Sequence, residues 1–197
     1  MQHIILASTS PRRKLLLEWA EIPFEIVSRH TDENFPSDLP AEAVPVYIAR
    51  QKALSTRLYL QEAFHGQYTQ TPVLAADTIV FLDNEILGKP LSREEAIAML
   101  EKISGKTHKV ITGVAILHKE QEISFADVTE VEFHPLTEGQ IEFYVDKYQP
   151  YDKAGAYAIQ EWIGVTGIKS IKGDFYNVMG LPVSRVIQQL QALHQSL

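Results

Sequence analysis

Cysteine is absent from this sequence of 197 residues. Its absence excludes disulfide bonds, zinc sites built from thiolates and catalysis by a cysteine nucleophile. It is also typical of a protein in a reducing compartment. No apolar run approaches the roughly 20 residues that a membrane-spanning helix needs, and the N-terminal residues lack the pattern of a signal peptide. The sequence therefore predicts a cytoplasmic protein with no membrane partner.

Basic residues are the minority among the charged residues. The chain has 18 lysines and arginines against 25 aspartates and glutamates, and a formal net charge of -7. Such a charge predicts no nucleic-acid partner, and a phosphate-bearing ligand would need a local cluster of basic residues. The hydrophobic fraction of 45% is ordinary for a globular protein. Because no repeat or low-complexity tract interrupts the chain, we predict one continuous fold over residues 1–197.

A local basic cluster lies in the stretch LASTSPRR, residues 6–13. The apolar run before it predicts a strand, and Ser10 followed by Pro11 is typical of the start of a helix. The free N–H groups of the first helical turn would face the serine-rich turn, where Arg12 and Arg13 add positive charge. This pattern is typical of a phosphate site. A capped helix with two solvated arginines would give the same pattern.

The remaining patterns predict alternating strands and helices. We expect strands over residues 24–28, 72–82, 108–117 and 122–133, and a further strand that ends near 171 and is interrupted by two glycines. We expect helices over residues 41–63, 92–104 and 137–147 and at the C-terminus from about 183. Capping-box patterns open the second and third of these helices. This order of elements agrees with an α/β fold without selecting a particular one.

One carboxylate interrupts the most apolar of these strands. Asp77 and Thr78 lie between the apolar runs 72–76 and 79–82. Burying a carboxylate without a partner is costly, so Asp77 is either hydrogen-bonded for structure or held for a cation, a water or a proton transfer. The stretch LGKP, which contains Lys89, follows a few residues later.

The stretch DKAGAYAIQ, residues 152–160, mixes polar, aromatic and small residues. This mixture suits neither a plain helix nor a plain strand, and it is typical of a segment that approaches a ligand closely. A structural turn would account for Gly155 alone.

Together these stretches resemble the signatures of the Maf family of nucleoside triphosphate pyrophosphatases. LASTSPRR resembles the N-terminal signature, ADTIV followed by LGKP resembles two more, and DKAGAYAIQ is the most specific of them. They occur in family order from Leu6 to Pro182 with no missing block. The resemblance implies an elongated α/β fold related to the inosine-triphosphate pyrophosphatases. Its mixed β-sheet and flanking helices would surround a central cleft between two lobes of a single domain, residues 1–197.

The resemblance also implies an activity and the residues that serve it. The family hydrolyses a nucleoside triphosphate between the α and β phosphates with a divalent metal, Mg or Mn, and tends to form homodimers. Ser8, Arg12 and Arg13 are implied to bind phosphate oxygens and to neutralise charge in the transition state. Lys52 and Lys89 match family lysines that reach the same triphosphate.

Asp77 is implied to accept the proton of the attacking water, to coordinate the metal, or both, with Glu33 as a further metal ligand. The carboxylate also separates two classes of function. A nucleotide-binding regulator of cell division with little turnover is the alternative to an enzyme. An acid beside the phosphates would repel a ligand that is only bound, unless a metal intervenes. Asp77 therefore favours an enzyme.

The combination of Arg12, Thr78 and Gln160 resembles the branch that hydrolyses dTTP and UTP rather than the branch that acts on 7-methyl-GTP. A glutamine amide offers a donor beside an acceptor, which can pair with the edge of uracil or thymine, although the same amide could face adenine. Glu161 and Trp162 stand where family members more often carry a glycine. This departure leaves the shape of the base pocket open and makes modified pyrimidine nucleotides further candidate substrates.

Overall fold

The computed structural model describes residues 3–195. The strands are β1 (Ile4–Leu6), β2 (Phe24–Ile26), β3 (Val73–Leu82), β4 (Glu85–Leu87), β5 (Thr107–His118), β6 (Gln121–Phe133) and β7 (Ile168–Lys172). The α-helices are α1 (Pro11–Trp19), α2 (Val44–Ala63), α3 (Arg93–Ile103), α4 (Glu138–Tyr148), α5 (Trp162–Gly167), α6 (Phe175–Met179) and α7 (Val183–Gln195). A short 3-10 helix, Ala154–Ala156, lies between α4 and α5.

Contacts within the chain define two compact units. Among the described residues, the first unit comprises those up to Asp77, then Thr112–Asp127, then those from Gly180 onward. The second unit comprises Thr78–Ile111 and Val128–Met179. The change from one unit to the other falls inside β3, β5 and β6, so each of these strands contributes to both units.

The strands are hydrogen-bonded in the order β2-β1-β3-β5-β6-β7, and β4 pairs with β3 beside this path. In the first unit, β1 runs parallel to both β2 and β3. In the second unit, β3 pairs antiparallel with β4, and β6 pairs antiparallel with β7. Parallel and antiparallel pairings thus occur in one sheet.

The core of the first unit lies between its strands and α2. Ile5 of β1 pairs in register with Val73 of β3, and both side chains are buried. Ala49 and Ala53 of α2 belong to the same buried cluster, together with Ala115 of β5. Apolar residues follow one another along β1 and the first half of β3, as expected for strands covered on both faces.

Two capped helices, α3 and α4, organise the second unit. Ser92 accepts a hydrogen bond from the backbone N–H of Glu95 at 3.2 Å, as the sequence predicts. In a full capping box the Glu95 carboxylate would accept from the backbone N–H of Ser92. Here it accepts from the N–H of Leu91, the residue before the cap, at 2.7 Å. At α4 the predicted capping box is complete, because Thr137 and Gln140 each bond the other's backbone N–H.

Other predicted boundaries need correction. The predicted strand around Gly164 and Gly167 is wrong, because residues 162–167 form α5 and the strand β7 begins only at Ile168. The backbone oxygen of Glu161 accepts from Gly164 N and Val165 N, which closes a helical turn there. A single turn is too short to show a helical period in the sequence. Helix α2 also begins later than predicted, at Val44.

One larger prediction, the fold class, is confirmed. The expected mixed α/β fold with flanking helices is confirmed by the observed strands, their pairing and the helices between them. The prediction of a single domain over residues 1–197, with two lobes around a cleft, stays a prediction. Within residues 3–195 no helix has both the length and the apolar content needed to cross a bilayer.

Candidate active site

The loop that joins β1 to α1 is organised by the hydroxyl of Ser8. Ser8 is buried, and its Oγ accepts a hydrogen bond from the backbone N–H of Ser10 at 3.2 Å. Ser10 occupies the cap position with extended backbone (φ -62°, ψ 119°), and Pro11 follows as the first helical residue. The predicted helix start is confirmed. Ser10 is the N-cap residue, and its backbone N–H rather than its side chain makes the hydrogen bond in this turn, to the Ser8 hydroxyl.

Arg13 is fixed at the same junction. Its Nε donates to the backbone oxygen of Gly180 at 2.8 Å, and its Nη1 donates to Ser8 Oγ at 3.2 Å. Burial lowers the pKa of the Arg13 guanidinium, whereas the nearby charges of Asp77 and Glu33 raise it. The positive charge of Arg12 lowers the pKa of Arg13 as well. The two arginines and the serine therefore form one cationic cluster at the start of α1.

Three of the predicted site residues meet around one ammonium group. Lys52, on α2, donates from Nζ to Asp77 Oδ1 of β3 at 2.7 Å and to Glu33 Oε1 at 2.7 Å. The Lys52 and Asp77 side chains are 18% and 14% exposed. Asp77 is therefore a mostly buried carboxylate with a charged partner. We refer to Glu33, Lys52 and Asp77 as the carboxylate cluster.

Glu33 is presented by a local turn in the loop between β2 and α2. Asp32 Oδ1 accepts from the backbone N–H of Asn34 at 3.0 Å, and Asp32 Oδ2 accepts from Asn34 Nδ2 at 2.7 Å. Both bonds join Asp32 to Asn34, so they close one turn with Glu33 at its centre. Aspartate commonly closes turns of this kind in loops. The sequence analysis did not single out Asp32 or Asn34 for this role.

In the second unit, two motifs are joined by their backbones. Gly155 N donates to Gly88 O at 3.0 Å, which connects DKAGAYAIQ to LGKP. Gly155 has a positive φ of 67°, and an added Cβ would lie 2.9 Å from the side chain of Val80. Only glycine fits such a close approach without strain. Lys89 itself is exposed, and Thr78 is half-buried in β3 directly after Asp77.

Gln160 lies at the corner of a turn in the second unit. The backbone N–H of Glu161 donates to Ala158 O at 3.1 Å, so residues 158–161 form a four-residue turn. Ile159 is buried within this turn, whereas Gln160 is exposed. The predicted base-reading side chain is therefore accessible to a ligand.

Known proteins resemble this chain along nearly all of its length. The family model described as Maf-like protein matches residues 3–193. The chain belongs to the Maf family. A protein of Cytophaga hutchinsonii named dTTP/UTP pyrophosphatase is 49% identical over 190 residues, 96% of this chain and 84% of that protein. A protein of the same name from Bacteroides thetaiotaomicron is 47% identical over 191 residues, 96% of this chain and 95% of its own length.

One solved structure with some similarity is that of the Staphylococcus aureus Ham1 protein. It aligns with 67% of this chain and 72% of its own, with a TM-score of 0.43 and 12% sequence identity. This level of similarity supports no statement about function. The fold class follows instead from the strands and helices of the Maf chain itself.

The carboxylate cluster of this Maf protein suits a divalent cation. Carboxylate oxygens are the donors that Mg²⁺ prefers, and protein sites for Mg²⁺ commonly supply one or two carboxylates while water and substrate phosphates supply the rest. Asp77 and Glu33 already converge on one positive group at 2.7 Å each. Among the described residues there is no cluster of three or more His, Cys, Asp or Glu that could hold a metal. The residues fit an ion that arrives with its phosphate ligand.

Other residues of this Maf chain that support the site were missed by the sequence analysis. His108, at the start of β5, places Nε2 2.7 Å from the hydroxyl of Tyr157, and burial lowers the pKa of this histidine to about 4. Tyr144 bonds both Ala158 and Glu161. A polar residue on an otherwise apolar face was the signal at both positions. At Glu161 the signal was its departure from the family pattern.

Proposed function

We propose that this chain hydrolyses dTTP and UTP to the nucleoside monophosphate and pyrophosphate. The carboxylate cluster carries the proposal, because a carboxylate held beside cationic groups serves hydrolysis and would hinder simple anion binding. Relatives of 49% and 47% identity that are named dTTP/UTP pyrophosphatase support the choice of substrates. Modified pyrimidine nucleotides are further candidate substrates.

The triphosphate is bound by the cationic cluster at the start of α1. Ser8, Arg12 and Arg13 contact phosphate oxygens, and the N-terminal end of α1 adds the positive end of its dipole. Arginine is suited to this role because its planar guanidinium can donate two hydrogen bonds to one phosphate. Lys89, in the second unit, supplies a further positive charge for substrate binding.

Asp77 accepts a proton from the water that attacks the α-phosphorus. A bond forms between the water oxygen and this phosphorus, the bond to the oxygen that bridges to the β-phosphate breaks, and its electron pair leaves with pyrophosphate. Lys52 holds Asp77 and Glu33 in place through one hydrogen bond to each. We propose that these two carboxylates hold Mg²⁺ or Mn²⁺, which supplies charge neutralisation at the phosphate oxygens.

Base recognition belongs to the second unit. Gln160 pairs through its amide donor and acceptor with the edge of uracil or thymine, and Thr78 contributes to substrate binding. The cytoplasmic location and the homodimer expected from the sequence remain part of this proposal.

The test is pyrophosphate release from a panel of dTTP, UTP, CTP, GTP, ATP, 7-methyl-GTP and 5-methyl-UTP, with Mg²⁺ or Mn²⁺ present. We expect the fastest release from dTTP and UTP. Faster release from purine nucleotides would keep the enzyme and refute the assignment to pyrimidines. Nucleotide binding without any release would favour the regulator of cell division.

A further inference from the structure

The turn that carries Gln160 is held at both ends by one hydroxyl group. Tyr144 Oη accepts a hydrogen bond from the backbone N–H of Ala158 at 3.1 Å. The same hydroxyl donates to Glu161 Oε2 at 2.5 Å. Ala158 and Glu161 are the first and last residues of the turn, so a single atom of α4 joins both ends.

The ring that carries this hydroxyl is closely packed. Tyr144 is fully buried on α4, and its ring stacks on that of Tyr148 with the centroids 5.0 Å apart. A buried ring on a helix has few alternative rotamers. Tyr144 therefore gives the turn a fixed point of attachment in the second unit.

Charge strengthens the bond to Glu161. Lys153 Nζ lies 3.5 Å from Glu161 Oε1 and 2.6 Å from Asp152 Oδ1, and the Lys153 side chain is only 10% exposed. Hydrogen bonds to a carboxylate are shorter and stronger than those between neutral groups. Lys153 thus helps Glu161 to keep the Tyr144 hydroxyl as its partner.

Helix α5 supports the turn from its other end. A Cβ at Gly164 would collide with the backbone oxygen of Ile159, so the first turn of α5 lies directly against residues 158–161. Gly164 N also donates to Glu161 O at 2.9 Å. With its backbone held by α4 and α5, the turn leaves Gln160 as its exposed residue.

We propose that Tyr144 and Glu161 are positioning residues for base recognition, and that they fix the turn so that the Gln160 amide meets the pyrimidine edge at hydrogen-bond distance. This inference rests on the proposed function. Paired hydrogen bonds discriminate between bases only when both are short and well aligned, and a turn ordered in advance lowers the entropic cost of forming them. The contact between Tyr144 and Glu161 therefore affects nucleotide affinity and base preference and leaves the rate of the hydrolytic step unchanged.

The decisive variant is Tyr144→Phe, which removes the hydroxyl and keeps the ring. We expect KM for dTTP and UTP to rise about tenfold, corresponding to roughly one lost hydrogen bond, with kcat within about twofold of the original. The preference for UTP over CTP should fall toward that of Gln160→Ala. Tyr148→Phe is the matched control, because it removes a hydroxyl from the neighbouring ring on α4, and it should behave like the original protein.

Substitutions at Glu161 provide an independent measurement if Tyr144→Phe fails to fold. Glu161→Gln keeps an acceptor for the Tyr144 hydroxyl and should restore most of the base preference that Glu161→Ala loses. Unchanged KM and base preference in both Tyr144→Phe and Glu161→Ala would overturn the inference. An equal loss of kcat on every nucleotide would also overturn it, because that result indicates general damage to the fold.

Amide hydrogen exchange tests the attachment without any turnover. Exchange over residues 158–161 should be faster in Tyr144→Phe and Glu161→Ala than in the original protein, and unchanged in Tyr148→Phe. An original protein that hydrolyses no nucleotide would refute the proposed function alone. In that case equal exchange in all variants would overturn the attachment as well, and faster exchange in the two variants would uphold it.

Discussion

Asp77 is held by an ammonium group rather than buried alone. Its Oδ1 accepts from Lys52 at 2.7 Å, and Glu33 shares the same donor. This contact fixes the orientation of the carboxylate that we propose as the proton acceptor in hydrolysis. Because Lys52 stabilises both acids, a change at Asp77 should leave Glu33 in place and affect the chemistry more than the fold.

The variant Asp77→Asn should reduce kcat/KM for dTTP by about 10²–10³-fold, a typical loss for a preorganised electrostatic contact. The amide keeps the shape of the side chain but accepts no proton, so nucleotide binding and the folded state should persist. Pyrophosphate release measures the first effect, and thermal unfolding measures the second.

Asp83→Asn is the matched control for this variant. Asp83 lies in the turn after β3, where its exposed carboxylate pairs with Lys106 at 2.8 Å. Exposed ion pairs of this kind contribute little to stability. Equal turnover in Asp77→Asn and Asp83→Asn would remove Asp77 from the mechanism.

The sequence could propose residues for the site but could not predict the contacts between them. Glu33, Lys52 and Asp77 come from a loop, a helix and a strand, and only the folded chain brings their charged atoms within 2.7 Å. The contacts of Tyr144 could not be predicted from the sequence for a similar reason. Helical spacing could predict its buried side, but its partner Glu161 lies across a loop that has no regular period.

Among the elements, β5 and the DKAGAYAIQ segment are joined by a buried polar contact. His108 Nε2 lies 2.7 Å from Tyr157 Oη, and the rings of Phe133 and Tyr157 pack against the imidazole. Burial lowers the pKa of His108 from 6.5 to about 4. The histidine is therefore neutral in the folded protein near pH 7.

This contact predicts a loss of stability in mild acid. Between pH 6.5 and about 4 the unfolded chain binds a proton at His108 that the folded chain does not, so the free energy of unfolding falls as pH falls. The expected loss from this residue is about 2 kcal/mol between pH 7.5 and pH 5. Urea unfolding at the two pH values measures it.

His108→Gln removes the titration and should show a smaller decrease between the same pH values. The exposed His134, on the segment after β6, provides the control, and His134→Gln should keep the full decrease. The same pH dependence in His108→Gln as in the original protein would contradict the assignment.

Elements in which the apolar repeat continues over several turns, or which begin with a complete cap, were predictable from the sequence. Helix α4 was predicted because Thr137 and Gln140 mark its start and apolar residues repeat along one face, and both features are present in the structure. Helix α5 was not predicted. Its sequence WIGVTG includes two glycines, which disfavour a helix, and it forms because its first turn packs on the turn before it.

At the scale of the whole molecule, folding should not depend on the divalent metal that we propose for catalysis. Lys52 already forms an ion pair with each of the two carboxylates proposed to hold the ion. A chelator should therefore abolish pyrophosphate release and leave the unfolding temperature unchanged, and added Mg²⁺ should restore the release. Calorimetry with and without chelator checks the stability, and a fall of several degrees would contradict the prediction.

The division of the chain into two units limits how such a protein can evolve by recombination between related genes. The chain passes between units at residues 77/78, 111/112, 127/128 and 179/180, and three of these passages lie inside strands. Neither unit is a continuous segment of the gene. A single recombination event cannot exchange one unit for a homologous one without replacing part of the other, so a single crossover within the chain mixes residues of two parents inside at least one unit.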